Sequence, residues 1–258
     1  MKNTCGLSAL VVLVFVPGLR ADNSKPAAKT EMDPKVLEIV KQVGTLYKNA
    51  KSLQVEGKVE TTRDMDGEKN QMKVSMAYAF ERPNQFALRT QLAEDKNAGM
   101  VMVSDGKTLF THARRMKKYT EASTPEDIAS IGRKLARFGQ PSTGMLFQNI
   151  LLEDPNETLL DGVTSCKYVG NEKVGETSAH HLTFTQAEFN WDLWVASEGK
   201  PFVLKMSNVR SGDDAKVSTV ETYKNWKVDA PIEKTTFAFE TPKDATKVKS
   251  LGTPRGDS

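Results

Sequence analysis

The sequence predicts a mainly β fold of the α+β class: a strongly curved antiparallel sheet of about ten or eleven strands, with helices plugging its concave side. Apolar residues alternate with period two over two long stretches, 53–120 and 158–239, and turn residues divide both into short segments. Apolar residues at helical spacing occur before the first stretch and between the two. The strand–helix rhythm of a parallel sheet is missing, and an antiparallel sheet of this width must curl.

The composition excludes several classes of protein. A chain of 258 residues with 38% hydrophobic residues is long enough to bury a substantial core. Its 17 glycines, 11 prolines and 2 cysteines exclude a disordered, collagen-like or disulfide-stapled chain. The net charge is only +3, from 36 basic and 33 acidic residues without a basic block, so we predict no nucleic-acid partner.

Residues 1–21 predict a secretory signal peptide and therefore an exported protein. Lys2 supplies the positive start, residues 7–16 form an apolar run, and Pro17-Gly18 breaks the helix before the cleavage site. The apolar run is too short to span a bilayer core of about 30 Å, although an uncleaved N-terminal anchor is the alternative.

The two cysteines bear on the fate of the exported chain. Cys5 precedes the apolar run, whereas a lipidated cysteine would follow it, so we predict that the chain is not lipidated. Cleavage leaves Cys166 alone, which excludes an intrachain disulfide and favours a buried, inert thiol. Residues 22–32 are polar and aperiodic and predict a flexible leader, and residues 249–258 predict a flexible tail.

The first helix is predicted to open at Asp33-Pro34, because aspartate caps free backbone N–H groups and proline fits the first turn. One apolar stripe follows and predicts a helix docked on the sheet; a helix lying on a membrane surface is the alternative. The stripe consists of Val36, Ile39, Val40, Val43, Leu46, Tyr47 and Ala50.

Residues 53–120 predict an antiparallel meander of about five or six strands. Asp66-Gly67 marks its first hairpin, because both residues tolerate positive φ. Arg82-Pro83-Asn84 marks the next turn, and residues 104–107 mark a further tight turn.

Two helices are predicted between the β stretches. Thr124 is expected to cap the first, which Gly139 ends, and Ser142-Thr143 to cap a second over residues 145–152, which Pro155 ends. The apolar stripe of the first of these helices is Ile128, Ile131, Leu135 and Phe138.

The second β stretch is expected to run from about residue 158 to residue 239 and to form a further set of antiparallel strands. Trp191 and Leu193 share one strand face, and Trp194 lies on the other. Residues 211–214 predict a hairpin tip.

The sequence lacks the motifs of nucleophilic, phosphate-binding and zinc sites. His180 and His181 point to opposite faces of one strand and cannot readily ligate one ion. Glu188 and Asp192 lie about 13 Å apart along a strand, which is too far for a glycosidase pair. We therefore predict no catalytic residue, no metal and no cofactor.

Short motifs in a fixed order resemble a known family. Residues 80–89 resemble the Arg-Pro hairpin of the lipoprotein-carrier (LolA/LolB-like) superfamily, and residues 103–110 resemble the Asp-Gly-Lys turn that follows it there. With these, residues 181–184, 191–195 and 237–245 make the chain resemble the DUF2092 family of predicted periplasmic proteins over residues 33–248.

The resemblance implies a half-barrel domain over residues 33–248, with an apolar cavity between sheet and helices. In the carriers that cavity holds the acyl chains of a lipoprotein, and each buried CH₂ group is worth about 0.8 kcal/mol. The early strands would supply one wall and the inserted helices a lid, although each residue taken singly fits an ordinary core. The implied lining is Met72, Val74, Met76, Tyr78, Phe80, Phe86, Leu88, Ile128, Ile131, Leu135, Met145, Leu146, Trp191 and Leu193.

Three functions remain in competition. The first is non-catalytic binding of an apolar small molecule, a lipid or a lipoprotein acyl chain by a monomer. The second is a protein-interaction or envelope-stress sensor module of the same fold, with no lipid cargo and with a membrane-anchored envelope protein as its partner. The third, a hydrolase, lacks any motif for a nucleophile and its base.

Overall fold

A computed structural model describes residues 31–137, 145–187, 189–212 and 215–252 of the chain. Over these residues the chain forms one open twelve-stranded sheet, which runs in the order β12-β6-β5-β4-β3-β2-β1-β11-β10-β9-β8-β7. The helices are α1 (Pro34–Asn49), α2 (Ile128–Arg137), α3 (Met145–Ile150) and α4 (Pro155–Leu160). The strands are β1 (Ser52–Met65), β2 (Glu68–Glu81), β3 (Gln85–Leu92), β4 (Met100–Asp105), β5 (Thr108–Ala113), β6 (Lys118–Ser123), β7 (Val163–Val174), β8 (Thr177–Gln186), β9 (Phe189–Ala196), β10 (Val203–Ser211), β11 (Lys216–Val228) and β12 (Thr246–Lys247).

Two antiparallel meanders make up the sheet. Strands β1 to β6 follow one another in space, as do β7 to β11, and the meanders join where β1 pairs with β11. The predicted fold class is confirmed. The strand count exceeds the prediction only through the two-residue β12, which pairs with β6 in parallel at one edge.

The turns follow the local chemistry of the sequence. Asp66 and Gly67 adopt φ values of 52° and 87° between β1 and β2, as the hairpin signal requires. Between β4 and β5, the Asp105 carboxylate accepts backbone N–H groups from Lys107 and Thr108, both at 2.7 Å, and Gly106 takes φ 95°.

Helix α1 forms as the sequence predicts. The Asp33 side chain accepts the Lys35 N–H at 2.9 Å, and Pro34 begins the helix. The apolar stripe faces the sheet, with Val36, Val40 and Val43 fully buried. Asp33 also accepts the backbone N–H of Tyr168 at 3.1 Å, so the same carboxylate ties the start of α1 to β7.

The helices cover one face of the sheet, here called the inner face, and the opposite face is called the outer face. The inner face and the helices share one continuous buried cluster that extends from β3 and β4 to β8 and β9. A smaller cluster lies on the outer face, where Phe237, from a 3₁₀ turn over Lys234–Phe237, packs on Ala79, Ala87 and Val103.

Helix α2 begins later than the sequence predicts. Asp127, rather than Thr124, caps it, because the Asp127 carboxylate accepts the Ser130 N–H at 2.7 Å. The Thr124 hydroxyl instead lies 2.9 Å from the Ser104 hydroxyl. This contact links the segment before α2 to the end of β4. Phe138 and Gly139, the predicted end of this helix, lie outside the described residues.

Helix α4 is a feature that the sequence analysis missed. Helix α3 ends at Ile150, and Pro155 begins α4 instead of ending α3, with Asp154 accepting N–H groups from Asn156 and Glu157. The second β stretch therefore starts at Val163. It ends at Val228 rather than at residue 239. Ser142 and Thr143, the predicted α3 cap, lie outside the described residues.

The predicted signal peptide, residues 1–21, most of the leader and the end of the tail also lie outside the described residues. At the leader's end, Cys166 donates its N–H to Glu31 O at 2.9 Å, and Met32 bridges Cys166. Within the described part of the chain, no helix has the length and apolarity needed to cross a membrane.

Candidate apolar binding site beneath the helices

The residues expected to line a cavity lie together on the inner face or on the helices above it. Those whose side chains are described are at most 4% exposed, apart from Met72, which packs half-buried at the margin. Met145 begins α3, but its side chain lies outside the described residues. The strands contribute Val74, Met76, Tyr78, Phe80, Phe86, Leu88, Trp191 and Leu193, and the helices contribute Ile128, Ile131, Leu135 and Leu146.

The alternation of the strands explains this arrangement. In β2 every second residue from Met72 to Tyr78 is at least half-buried, whereas Ser75 and Ala77 are exposed on the outer face. In β9, Trp191 and Leu193 face inward and stand opposite Phe184 and Leu182 of β8. Trp191 stacks on Phe184 with ring centroids 3.8 Å apart.

A phenylalanine of α3 holds the helical cover against the sheet. The Phe147 ring stacks on Tyr78 at a centroid distance of 3.6 Å and meets Tyr223 edge-on at 5.5 Å. It also stacks with Trp226 at 6.2 Å. Since aromatic pairs add to the free energy of area burial, this ring is a strong apolar contact between α3 and the sheet.

A carboxyl group lies at the centre of this apolar region. Glu221 of β11 is 2% exposed, and its Oε2 accepts the Tyr223 hydroxyl and, at 3.3 Å, the backbone N–H of Leu146 in α3. Burial, followed by the nearby Glu221 charge, raises the pKa of Tyr78 and Tyr223 well above the ordinary tyrosine value. Both phenols therefore stay neutral at physiological pH.

Glu221 and its aromatic neighbours are the site residues that sequence reasoning missed. Glu221 stands in phase with Tyr223 on β11, so a charged residue occupies a position that alternation assigns to the interior. That phase is the signal that could have marked it. Its contact with Leu146, 75 positions away along the chain, has no local signal.

The end of α1 closes one side of the aromatic cluster. The Tyr47 hydroxyl accepts the Val203 N–H at 3.2 Å, and Trp226 Nε1 donates to Val203 O at 2.9 Å. Tyr47 and Trp226 also meet with ring centroids 5.3 Å apart. The backbone of Val203 in β10 is thus held by two aromatic side chains, one from α1 and one from β11.

The arrangement offers packing and little acid–base chemistry. Within the described ranges, no group of three or more His, Cys, Asp or Glu side chains is placed to hold a metal ion. Cys166 is buried beside Met32, and burial raises the pKa of its thiol, which keeps the thiol protonated and unreactive.

The paired histidines lie on different faces, as their adjacency predicts. His180 Nδ1 lies 3.1 Å from the Tyr168 hydroxyl. His181 lies on the outer face, stacked on Trp194 at 4.2 Å, with Nδ1 2.8 Å from Glu172 and Nε2 3.1 Å from Asp192. Each ring nitrogen of His181 thus faces a different carboxylate. His181, Glu172, Asp192 and Trp194 form a hydrogen-bonded and stacked cluster on the outer face.

Comparison with known proteins points to one family. Residues 37–251 match the family described as "Predicted periplasmic protein (DUF2092)". No curated protein matches the sequence.

Among solved structures, the chain is similar to an uncharacterized conserved protein from Thermus thermophilus, with 12% identity, 83% of this chain and 98% of that chain covered, and a TM-score of 0.44. It is similar to lipoprotein LppX of Mycobacterium tuberculosis with 16% identity, coverages of 78% and 98%, and a TM-score of 0.44. A LolA superfamily protein from Nitrosomonas europaea has 12% identity, coverages of 78% and 96%, and a TM-score of 0.29.

Proposed function

Because the chain belongs to the DUF2092 family of predicted periplasmic proteins, we propose that it is an exported envelope protein that binds an apolar ligand without catalysis. The ligand is a lipid or a lipoprotein acyl chain, held between the inner face of the sheet and helices α2 and α3. The observation that carries the proposal is the continuous apolar inner face of an open sheet, covered by short helices instead of by a second sheet.

The chemistry of this interior suits an apolar ligand of variable shape. Met76, Met102 and Met206 lie among its buried side chains, and methionine adapts to differently shaped apolar partners because its side chain is unbranched and flexible. An acyl chain gains about 0.8 kcal/mol for each CH₂ group that it buries, so long chains bind without specific polar contacts.

Access for the ligand requires α3 to move, because its side chains Leu146, Phe147 and Ile150 are buried in the interior. Moving α3 withdraws Phe147 from its aromatic pocket, which costs apolar contact. The same movement returns the Glu221 carboxyl group to water and so recovers part of its desolvation cost. The two effects oppose each other, and an entering acyl chain replaces the contacts that Phe147 gives up.

The first test is native mass spectrometry of the protein purified gently from a bacterial periplasm, followed by organic extraction. A lipid or acyl species bound at close to one per chain is the expected result. A ligand-free mass, together with no uptake of added lipid, would sink the proposal.

A substitution in the inner face provides a second test. Tyr78→Asp is expected to weaken binding of a fluorescent fatty acid at least tenfold, because a charge then lies in the ligand's path. Ala77→Asp places the same charge on the exposed outer side of the same strand and should leave binding unchanged.

Thermal melting checks that the Tyr78→Asp variant is folded, and Tyr78→Ser serves in its place if it is not. Unchanged affinity in a folded Tyr78 variant would show that this face does not contact the ligand.

One observation favours a second function, the recognition of a protein partner in the envelope. Strand β7 is an edge of the sheet, and Val169 on it is 52% exposed, although Glu31 and Met32 pair with part of that edge at Cys166. An extended segment of a partner could add to the remaining edge as a further strand. A ligand-free protein that captures a defined envelope protein, and loses it in Val169→Asp, would favour this function over lipid binding.

A further inference from the structure

A cleft of about 750 Å³ lies on the outer face, away from the proposed lipid site. Outward-facing side chains of β3, β4 and β5, namely Arg89, Val101 and His112, form its floor. The β5–β6 turn, with Arg115, forms one wall, and the chain segment around Phe239 forms another. We call it the basic cleft.

The basic cleft collects positive charge in a chain that is almost neutral. Among the described residues, five cationic side chains line it against two acidic ones. Lys117 pairs with Asp244 at 3.0 Å. Within the described part of the chain, no carboxylate lies within 4.0 Å of the other four cations. The cations are Arg89, Lys96, Arg114, Arg115 and Lys117, and the acids are Glu240 and Asp244.

Part of this charge is withdrawn from water without a counter-charge. Arg89 is half-buried and donates to the backbone carbonyl of Ala238 at 3.4 Å. Burial, followed by the neighbouring Arg114, lowers the pKa of Arg89. Burial, again followed by Arg114, also lowers the pKa of His112. Both shifts have the causes expected where cations are crowded and partly desolvated, an arrangement that a bound anion relieves.

The shape and chemistry of the cleft indicate the class of anion. Guanidinium groups match phosphate oxygens through paired N–H donors, and three arginines line this cleft. Phe239, stacked on Phe110 at 4.8 Å, provides an apolar wall beside them. A cleft of this volume is large enough for a phosphate together with a small organic group.

We propose that the basic cleft binds the phosphate group of an organic phosphate ester, with Arg89 and Arg114 as its principal ligands and Phe239 beside the organic part. A soluble phosphate ester and a phospholipid headgroup carry this same chemistry. The site lies on the face opposite the lipid-binding interior, so it does not depend on the function proposed above.

Isothermal titration calorimetry of the full protein with phenyl phosphate tests the proposal. We expect saturable binding that weakens as NaCl is raised, because the attraction is between charges. Arg114→Gln should weaken binding at least tenfold. Arg63→Gln removes the same charge from an exposed position on β1 outside the cleft and should change affinity less than twofold. Equal weakening by both substitutions would overturn the proposal.

Sedimentation with vesicles distinguishes the two sources. Binding to phosphatidylglycerol vesicles that Arg114→Gln removes, without measurable affinity for phenyl phosphate, assigns the site to a lipid headgroup. Binding of phenyl phosphate without binding to vesicles assigns it to a soluble ester. Binding of neither, or vesicle binding that Arg114→Gln leaves intact, refutes the site.

A second readout follows from His112, whose ring lies in the same cleft. A bound phosphate should raise the pKa of His112 from its lowered value, which NMR titration of the imidazole detects with and without phenyl phosphate. An unchanged His112 titration at saturating ligand would place the phosphate elsewhere and contradict the proposal.

Discussion

The Glu221 carboxyl group is an ionisable group among the buried side chains of the inner face. It lies among buried aromatic and aliphatic side chains, and within the described residues it accepts hydrogen bonds from Tyr223 of its own strand and from the backbone of α3. Taking an ionisable group out of water costs several kcal/mol before its contacts compensate. Its bond to the backbone of Leu146 fixes where the amino-terminal end of α3 meets the sheet.

Replacing this group by its amide separates the two contributions. Glu221→Gln keeps an acceptor for Leu146 and Tyr223 but cannot ionise. We therefore expect the free energy of unfolding to rise by about 1–2 kcal/mol. The uptake of a fluorescent fatty acid should slow, because opening no longer returns an ionisable carboxyl group to water. Thermal melting and stopped-flow fluorescence measure the two effects, with exposed Glu60→Gln as the control. A lower melting temperature in Glu221→Gln would contradict this account.

At the scale of elements, helices α1 and α4 approach each other closely at a glycine. Gly44 of α1 faces Asn156 of α4 so closely that a Cβ at position 44 would lie 2.0 Å from the Asn156 Oδ1 atom. Beside this contact, Lys48 of α1 binds Asp154, the cap of α4, at 2.8 Å. Helix α4 thus packs on α1 at Gly44. The position of α4 among the covering helices depends on that contact.

A methyl group at this contact tests the seating of α4. Gly44→Ala favours the isolated helix by about 1 kcal/mol, but the overlap with Asn156 should leave the protein destabilised by about 1–2 kcal/mol. In an Asn156→Ala background the same change should be neutral or stabilising, because the overlapping atoms are gone. Chemical denaturation of the four proteins of this cycle measures the coupling. If the effects of the two substitutions on the free energy of unfolding are additive, positions 44 and 156 are not coupled and this account is wrong.

The elements also show which features local sequence signals can predict. The Asp33-Pro34 start of α1 and the Asp66-Gly67 hairpin were predicted because the conformation follows from the residues themselves. Asp154-Pro155 is the same capping chemistry, yet Pro155 was interpreted as an end because a helix was expected just before it. Strand phase predicted the inner-face residues, whereas the contact between Leu146 and Glu221 depends on how distant elements pack.

For the whole molecule, acidic caps and turns make stability depend on pH. Backbone N–H groups, with neighbouring cations, hold the carboxyl pKa of these aspartates below the ordinary value. At Asp229 the main donors are the backbone N–H groups of Lys51, at 2.7 Å, and Ser52. The pKa is lowered in the same way at Asp33, Asp105 and Asp127, which cap α1, the β4–β5 turn and α2. At Asp154, the cap of α4, the Lys48 side chain is the main cause and the backbone N–H of Glu157 follows.

We therefore expect the melting temperature to fall on acidification. Because the folded-state pKa values are depressed, this stabilisation is fully present above the unfolded value, about pH 4. It is lost as the pH falls through the folded-state values. Asp229→Asn should melt lower at pH 7 and lose less between pH 4 and pH 2, which calorimetry across this range measures. A melting temperature that stays constant from pH 4 to pH 2 would contradict this prediction.

The pairing of β1 with β11 sets the order in which the fold can be completed. The chain begins its sheet with the strand that ends up in the middle, and β1 obtains its second neighbour only when residues 216–228 arrive. Strands β1 to β6 can pair as they emerge, one hairpin at a time, but a central strand then waits with an open edge. A chain that is truncated before β11 therefore leaves the backbone N–H and C=O groups along one side of β1 unpaired and exposed. We expect such truncated chains to aggregate more readily than the whole chain.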